Sequence, residues 1–396
     1  MNKKISLGAA IAALILAVAL TASATVMITL KSFRSVVHDA SKQDSMYEKL
    51  DEIEGMVEDY FHGEIDQQSV TDAAAAGYIA GLGDKYSTYL TAEQYAAKKQ
   101  NNSGVRVGIG VTFMLDEEGY ALVTALTEGG TAKETGILTD DRITAVDGVS
   151  VVGKTLTDIR EMVTGKEDTE VVLSLLRGDA AMEYTVLRKS FDLQTVSYEM
   201  MDRIGYISID SFNAKTAEQF KTALDAVLEQ DAVGLIFDLR GNGGGILNAA
   251  FDCLDLLVGQ GELAVAVNDK GEERVLSRSD ANEVDLPMVV LQNASTASAA
   301  ELFSATLRDY GKASVVGTVS YGKGVMQTTY ELSDGSAITI TTAKLLTHSR
   351  NEFHGIGVAP TYEVTLTKEQ EDMVLLGSHE DDPQLAKAIE ILDIAN

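Results

Sequence analysis

Three nearly continuous apolar runs dominate the second half of the chain: AVGLIFDLR (232–240), MVVLQN (288–293) and ASVVG (313–317). A strand that is apolar at almost every position has to be covered on both faces, the situation of a strand inside a parallel sheet flanked by helices. Helical patterns lie between the runs. TAEQFKTALDAVLEQ, ILNAAFDCLDLLV and SAAELFSATLRDY each repeat apolar residues at three- and four-residue spacing. With IGYISID and ELAVAV as further strands, and a hairpin across Asp334-Gly335, residues 191–378 read as a layered α/β core. In a parallel sheet the C-terminal strand ends gather on one edge, where sites form. The loops after the three runs, LRGNGGG, QNASTASAAE and SYGKGVMQ, are therefore expected to converge.

Each loop has a plain reading beside a chemical one. A strand, a glycine loop and a helix also describe a dinucleotide-binding turn. However, Gly241, Gly243 and Gly245 do not follow G-x-G-x-x-G, and no acid ends a strand about 20 residues on. The same loop can bare backbone N–H groups at a helix start, where an oxyanion is held. Ser298-Ala299-Ala300-Glu301 fits the S-x-x-E capping box, so Ser298 reads as a helix cap. The same serine can be a nucleophile if a base reaches it. The G-x-S-x-G elbow is absent, and His348, His354 and His379 sit in no recognisable triad context. Lys323, between two glycines, can act instead if burial keeps its amine neutral. Gln327, four residues on, is placed to orient that amine.

Residues 36–100 read as helices. YEKLDEIEGMVEDYF carries Leu50, Ile53, Met56, Val57, Tyr60 and Phe61 at helical spacing, and VTDAAAAGYIAGL is a second helix. DKYSTYL reads as a loop, and TAEQYAAKK as a helix capped by Thr91. His38 and His62 lack partners in sequence and read as surface residues. Residues 101–190 switch to short strands, VRVGIGVTFML, YALVTAL and DRITAVDG, with a hairpin across Gly178-Asp179. VGIGV (107–111), GGTAKETGILTDDRITAVDGVSV and that closing hairpin resemble a PDZ domain of the bacterial type. The resemblance implies a peptide C-terminus lying beside an exposed strand edge, with Gly108, Ile109, Gly110 and Val111 forming the groove. Residues 379–396 hold a short helix with Pro383 in its first turn.

MNKK is followed by 26 uncharged residues, 5–30. A helix needs about 20 to cross a bilayer. TASA resembles a signal-peptide cleavage site, but the apolar run continues to Leu30, which favours a membrane anchor within 1–35. The rest of the chain is then expected outside the cytoplasm, on a single-pass protein of the cell membrane, or secreted if the segment is cleaved. The 60 acidic and 32 basic residues leave a net charge of −28, which argues against nucleic acid and suits solubility. Cys253 is the only cysteine, so no internal disulfide forms, and its apolar helical setting reads as core.

Five motifs in order resemble the carboxy-terminal processing proteases, also called tail-specific proteases. They are GLGDKYSTYL (81–90), DLRGNGGG (238–245), NASTASAAEL (293–302), SYGKGVMQ (320–327) and HGIGVAP (354–360). The resemblance runs from about residue 45 to the C-terminus. It implies that Ser298 is the nucleophile, that Lys323 is its general base and that Gln327 supports the lysine. It also implies the amides of Ala299 and of a glycine in 243–245, Gly244, as oxyanion donors. Gly243 stands where the family commonly has proline and Thr361 where aspartate is usual, and neither touches the three catalytic positions. The expected protein is an envelope serine endopeptidase that takes substrates with apolar C-termini through its PDZ-like domain and needs no metal or other cofactor. The helices at 36–100 and the C-terminal helix are candidate homodimer contacts by the same resemblance. The rival reading is a membrane-anchored peptide-binding scaffold without catalysis.

Overall fold

The computed structural model describes residues 45–127 and 129–395. The described residues divide into two units between residues 71 and 72. In the first, residues 45–60 form a helix, and Leu50, Ile53, Met56, Val57, Tyr60 and the following Phe61 are exposed. His62 is exposed as well. The segment read as an anchor, 1–35, and His38 lie outside the described residues. Among the described residues no helix is long and apolar enough to cross a membrane.

The three apolar runs become the parallel neighbours Gly234–Asp238, Met288–Gln292 and Ala313–Gly317. They sit inside a six-stranded sheet that begins with Val196–Met201 and Ile204–Ile209 and ends with Tyr362–Glu363. Only the first pair is antiparallel. Successive side chains point to opposite faces, so each run feeds two cores. Leu235, Phe237, Val290 and Val315 pack toward the helices Thr216–Leu228, Leu247–Asp255 and Ala299–Asp309. There Phe212, Phe220, Phe237 and Phe303 form a ring cluster with centroids 5.7 to 6.2 Å apart. Cys253 is buried in this core, and burial pushes its thiol pKa up, so it is inert packing. Ile236, Val289, Leu291 and Val316 pack on the other face against Leu385, Ala388 and Leu392. Those three come from the helix Pro383–Ala395, so the tail is one layer of the core. Each fully buried side chain of this kind contributes about 1.5–3 kcal/mol.

ELAVAV does not join the parallel sheet. Gly261–Val267 pairs antiparallel with Glu273–Ser279 and Ala337–Thr347 in a second sheet, which also takes Val325–Glu331. An apolar run marks a buried strand but carries no information about its partner. The same sheet corrects the reading of DKYSTYL as a loop. Thr88–Leu90 pairs with Ala337–Thr339, about 250 residues away, so the pairing and not local propensity makes this three-residue strand.

The PDZ-like module is a separate sheet around Val123, Ile143, Ile159, Val171 and Leu173. VRVGIGVTFML breaks into two strands at Ile109-Gly110, where Gly110 has φ 75° and meets the Cα of Gly130 closely. Val105–Gly108 pairs with Lys189–Asp192, the last strand of the module. The two ends of the module are thus zipped together, which is why it can be inserted into the core without spreading it. Val111–Leu115 is the terminal strand of the module's sheet.

Candidate active site

The three loops meet as expected, and their contacts are specific. Ala297 N–H donates to Asn242 O at 2.9 Å, Gly241 N–H to Asn293 Oδ1 at 3.1 Å, and Tyr321 N–H to Thr296 O at 3.0 Å. Thr296, which reads in sequence as a loop residue, is fully buried and staples two of the loops. Its hydroxyl donates to Leu239 O at 2.8 Å and accepts from Asn293 N–H at 3.0 Å. The HGIGVAP segment lies against the Lys323 loop, with Gly355 N–H on Gly322 O at 2.9 Å and Val358 N–H on Ser320 Oγ at 2.7 Å.

Ser298 sits directly before the helix Ala299–Asp309 with φ 57° and ψ −113°, a conformation that L residues rarely adopt. Ser298 thus ends the loop 293–298 between the strand and the helix in a strained conformation like that of a nucleophile elbow, without the G-x-S-x-G spacing. The turn explains the run of small residues. A Cβ added to Gly244 would lie 2.9 Å from Ser298 Cβ, 2.7 Å from Ala297 O and 3.1 Å from Ala299 N. No side chain fits at Gly244 without displacing the serine loop. Ser298 and Glu301 stand as the expected capping box, and no hydrogen bond of normal geometry ties Ser298 Oγ into it. Backbone strain of this type is worth about 1–3 kcal/mol. Ser298→Gly is therefore expected to stabilise the fold by about 1 kcal/mol after the extra unfolded-state entropy of glycine is deducted. Ser298→Ala keeps the strain and should melt with the parent. Calorimetric melting compares them, and equal midpoints for all three chains would rule out a strained elbow.

The sequence assigned Glu301 only to a cap. In the structure it is fully buried and ties the serine loop to the lysine loop. Its Oε2 accepts from Ser298 N–H at 2.8 Å and from Lys323 N–H at 2.7 Å. Its Oε1 accepts from Gly322 N–H at 2.6 Å and Ser320 Oγ at 2.5 Å. One carboxylate with four donors is a satisfied buried charge. The signal for this role was available only as the S-x-x-E spacing, which also describes an ordinary cap.

Lys323 is half-buried, and its Nζ lies 5.2 Å from the centroid of Tyr86, in the DKYSTYL segment. Tyr86 is held there by the strand Thr88–Leu90 and by Ser87, whose Oγ accepts from Thr341 N–H at 3.1 Å. Burial lowers the Lys323 pKa from the ordinary lysine value, the Lys98 ammonium lowers it further, and Asp84 and Glu301 act in the opposite sense. No hydrogen bond joins Lys323 Nζ to Ser298 Oγ or to Gln327 here. Gln327 follows a register shift in its strand, and its Nε2 donates to Thr341 Oγ1 at 3.3 Å and Val325 O at 3.4 Å. The expected support of the lysine by Gln327 is thus not formed in this arrangement.

Ala299 N–H is the first amide of its helix, with no acceptor within the helix. Gly244 lies beside it, but Gly244 N–H donates to Asn242 Oδ1 at 2.8 Å. That amide is occupied, which removes it as a ready oxyanion donor in this state. In the PDZ-like module, Ile109 is buried in the core, its carbonyl accepting from Ala132 N–H at 2.9 Å. Gly108 ends the strand that pairs with Lys189–Asp192, Gly110 packs against Gly130, and of the four expected groove residues only Val111 belongs to the terminal strand Val111–Leu115. A separate cleft of about 940 Å³ on the sheet edge is lined by Tyr198, Asp210, Asp238, Ser295 and His379, and not by Ser298, Lys323 or Gln327.

Residues 203–364 match the peptidase family S41, and residues 122–177 match a PDZ domain. The chain is 33% identical over 357 residues to the carboxy-terminal processing protease CtpA of Bacillus subtilis (strain 168), covering 89% of this chain and 76% of that one. It is 34% identical over 328 residues to a protein named a probable CtpA-like serine protease in Staphylococcus aureus (strain COL). That match covers 81% of this chain and 65% of the relative, so the chain spans just under two thirds of its length. A crystal structure described as an S41 protease, from Bacteroides fragilis NCTC 9343, shares the fold with a TM-score of 0.53 at 17% identity, over 85% of this chain and 93% of that one. By this similarity the chain belongs to peptidase family S41, with a PDZ domain set into it.

Proposed function

We propose that the chain is a serine endopeptidase that cleaves peptide bonds with Ser298 as nucleophile and Lys323 as general base. The observation that carries this reading is the buried Glu301 carboxylate, which fastens the amides of Ser298, Gly322 and Lys323 to one point. A cap needs only the first of these bonds. In the reaction, Lys323 Nζ leaves the Tyr86 face and takes the Ser298 Oγ proton as Oγ bonds to the peptide carbonyl carbon. The oxyanion lies toward Ala299 N–H. Lys323 returns the proton to the leaving amine as the C–N bond breaks, and water then releases the acyl group. The open edge of Val111–Leu115 captures the apolar C-terminal tail of the substrate protein by strand addition. The 26-residue uncharged stretch at 5–30 anchors the chain in the cell membrane with this machinery on the outer side.

The test is cleavage of an unfolded protein with an apolar C-terminus, together with labelling of Ser298 by a fluorophosphonate. Ser298→Ala and Lys323→Ala are each expected to reduce turnover at least about a thousandfold. Wild-type turnover in either variant would overturn the dyad. Peptide binding with no labelling of the parent chain would favour a non-catalytic scaffold.

A further inference from the structure

The helix Ala92–Ser103 carries two adjacent lysines with opposite surroundings. Lys99 is exposed and reaches Glu331 at 3.5 Å. Lys98 is half-buried, and its Nζ donates to Thr339 Oγ1 at 3.0 Å and Thr329 Oγ1 at 3.2 Å. Among the described residues no carboxylate forms an ion pair with it, in a chain with 60 acidic residues. Thr329 and Thr339 face each other across Val325–Glu331 and Ala337–Thr347. The next rung on the same sheet face is Gln327 opposite Thr341, about 7 Å along the strand. That strand leads straight back to Lys323. Lys98 and Lys323 are thus two half-buried amines joined by one strand, and burial lowers the pKa of both, so the neutral form of one of them is favoured.

We propose that Lys98 is a positioning residue for Lys323: its ammonium, held on the rung next to Gln327, is a fixed like charge that disfavours protonation of the base. This rests on Lys323 being the base. Lys323 also meets Tyr86 and feels Asp84 from the DKYSTYL segment and Glu301 from the serine helix; Lys85 lies over the Tyr86 and Tyr321 rings, and His354 meets Tyr86 edge-on at 5.9 Å. The two carboxylates act against Lys98. Glu301 accepts its four hydrogen bonds, and Asp84 accepts from Ser87 Oγ at 2.6 Å and Tyr86 N–H at 3.2 Å. Lys85 is exposed and lies 4.7 Å from the Tyr86 centroid. Burial and Lys98, in that order, lower the Lys323 pKa.

The test is the pH dependence of the rate at which a fluorophosphonate labels Ser298 in the full chain, for the parent, Lys98→Met and Lys98→Arg. Losing the like charge lets Lys323 keep its proton to higher pH. The rising limb of Lys98→Met should therefore move up by about half to one pH unit. Its rate at pH 7 should fall about three- to tenfold, with the plateau at high pH unchanged. Lys98→Arg should keep the parent's profile. Added salt should shift the parent's limb upward more than that of Lys98→Met, because only the parent has the repulsion to screen. A parent-like limb in Lys98→Met, or a loss equal at every pH, would overturn the proposal. If Lys98→Met fails to fold, Lys98→Gln serves the same comparison. Labelling that survives Lys323→Ala would instead remove the base, and this inference with it.

Discussion

Glu301→Ala is expected to abolish fluorophosphonate labelling of Ser298 and to lower the unfolding free energy by about 3–5 kcal/mol. The substitution leaves the amides of Ser298, Gly322 and Lys323 and the hydroxyl of Ser320 without their acceptor. The carboxylate and its hydroxyl partner are shielded from water, since Glu301 is 0% exposed and Ser320 is 6% exposed. Each unpaired buried donor is worth about 1–3 kcal/mol, and partial relaxation keeps the sum below four such penalties. Glu301→Gln keeps the shape but turns one acceptor into a donor that faces N–H groups. It should lie between the parent and the alanine variant in stability and label slowly. Urea unfolding and labelling rates check both. A parent-like midpoint for Glu301→Ala would show that the two loops meet without the carboxylate.

Arg240→Met is expected to destabilise the chain by a similar amount, about 3–5 kcal/mol, by a different route. Arg240 holds Asp238 through Nη2 at 2.5 Å and Asp382 through Nη1 at 2.7 Å, and the three side chains are only 3%, 7% and 0% exposed. Asp382 also begins the C-terminal helix, accepting from Gln384 N–H at 2.9 Å and Leu385 N–H at 3.0 Å. Removing the guanidinium strands two buried carboxylates and loosens the layer made by Leu385, Ala388 and Leu392. Neutralising both partners, as Asp238→Asn and Asp382→Asn in the Arg240→Met background, should recover part of the loss. Denaturant unfolding measures the loss, and hydrogen exchange in Pro383–Ala395 locates it. If exchange rises evenly over the whole chain while this helix shows no extra loss, the arginine does not anchor the helix.

Much of the fold was legible because burial on two faces leaves a strong mark. Leu235, Ile236 and Phe237 have to be apolar whichever way they point, so the run itself announces a central strand. The helix Ala299–Asp309 and the hairpin turn at Gly178-Asp179 were equally plain. ELAVAV reads as a strand and is one, but its place in the second sheet was not legible, because an apolar run shows burial and not a partner. Thr88–Leu90 left no local mark, and the break at Ile109-Gly110 only the two glycines that flank Ile109.

The chemistry divides along the same line. The sequence alone determined that Ser298 and Lys323 stand in loops that follow strands, because residue type, spacing and small-residue runs are local properties, whereas Gln327 falls inside the strand Val325–Glu331. The tertiary structure decided what surrounds them. It made Ser298 an elbow at φ 57°, turned Glu301 from a cap into the joint between two loops, and set Tyr86 and Lys98 beside the lysine from more than 200 residues away. It also gave Gly244 N–H to Asn242. Strain, burial and charge proximity are properties of a packed volume, and they arise only once the three strand ends and the second sheet close around one point.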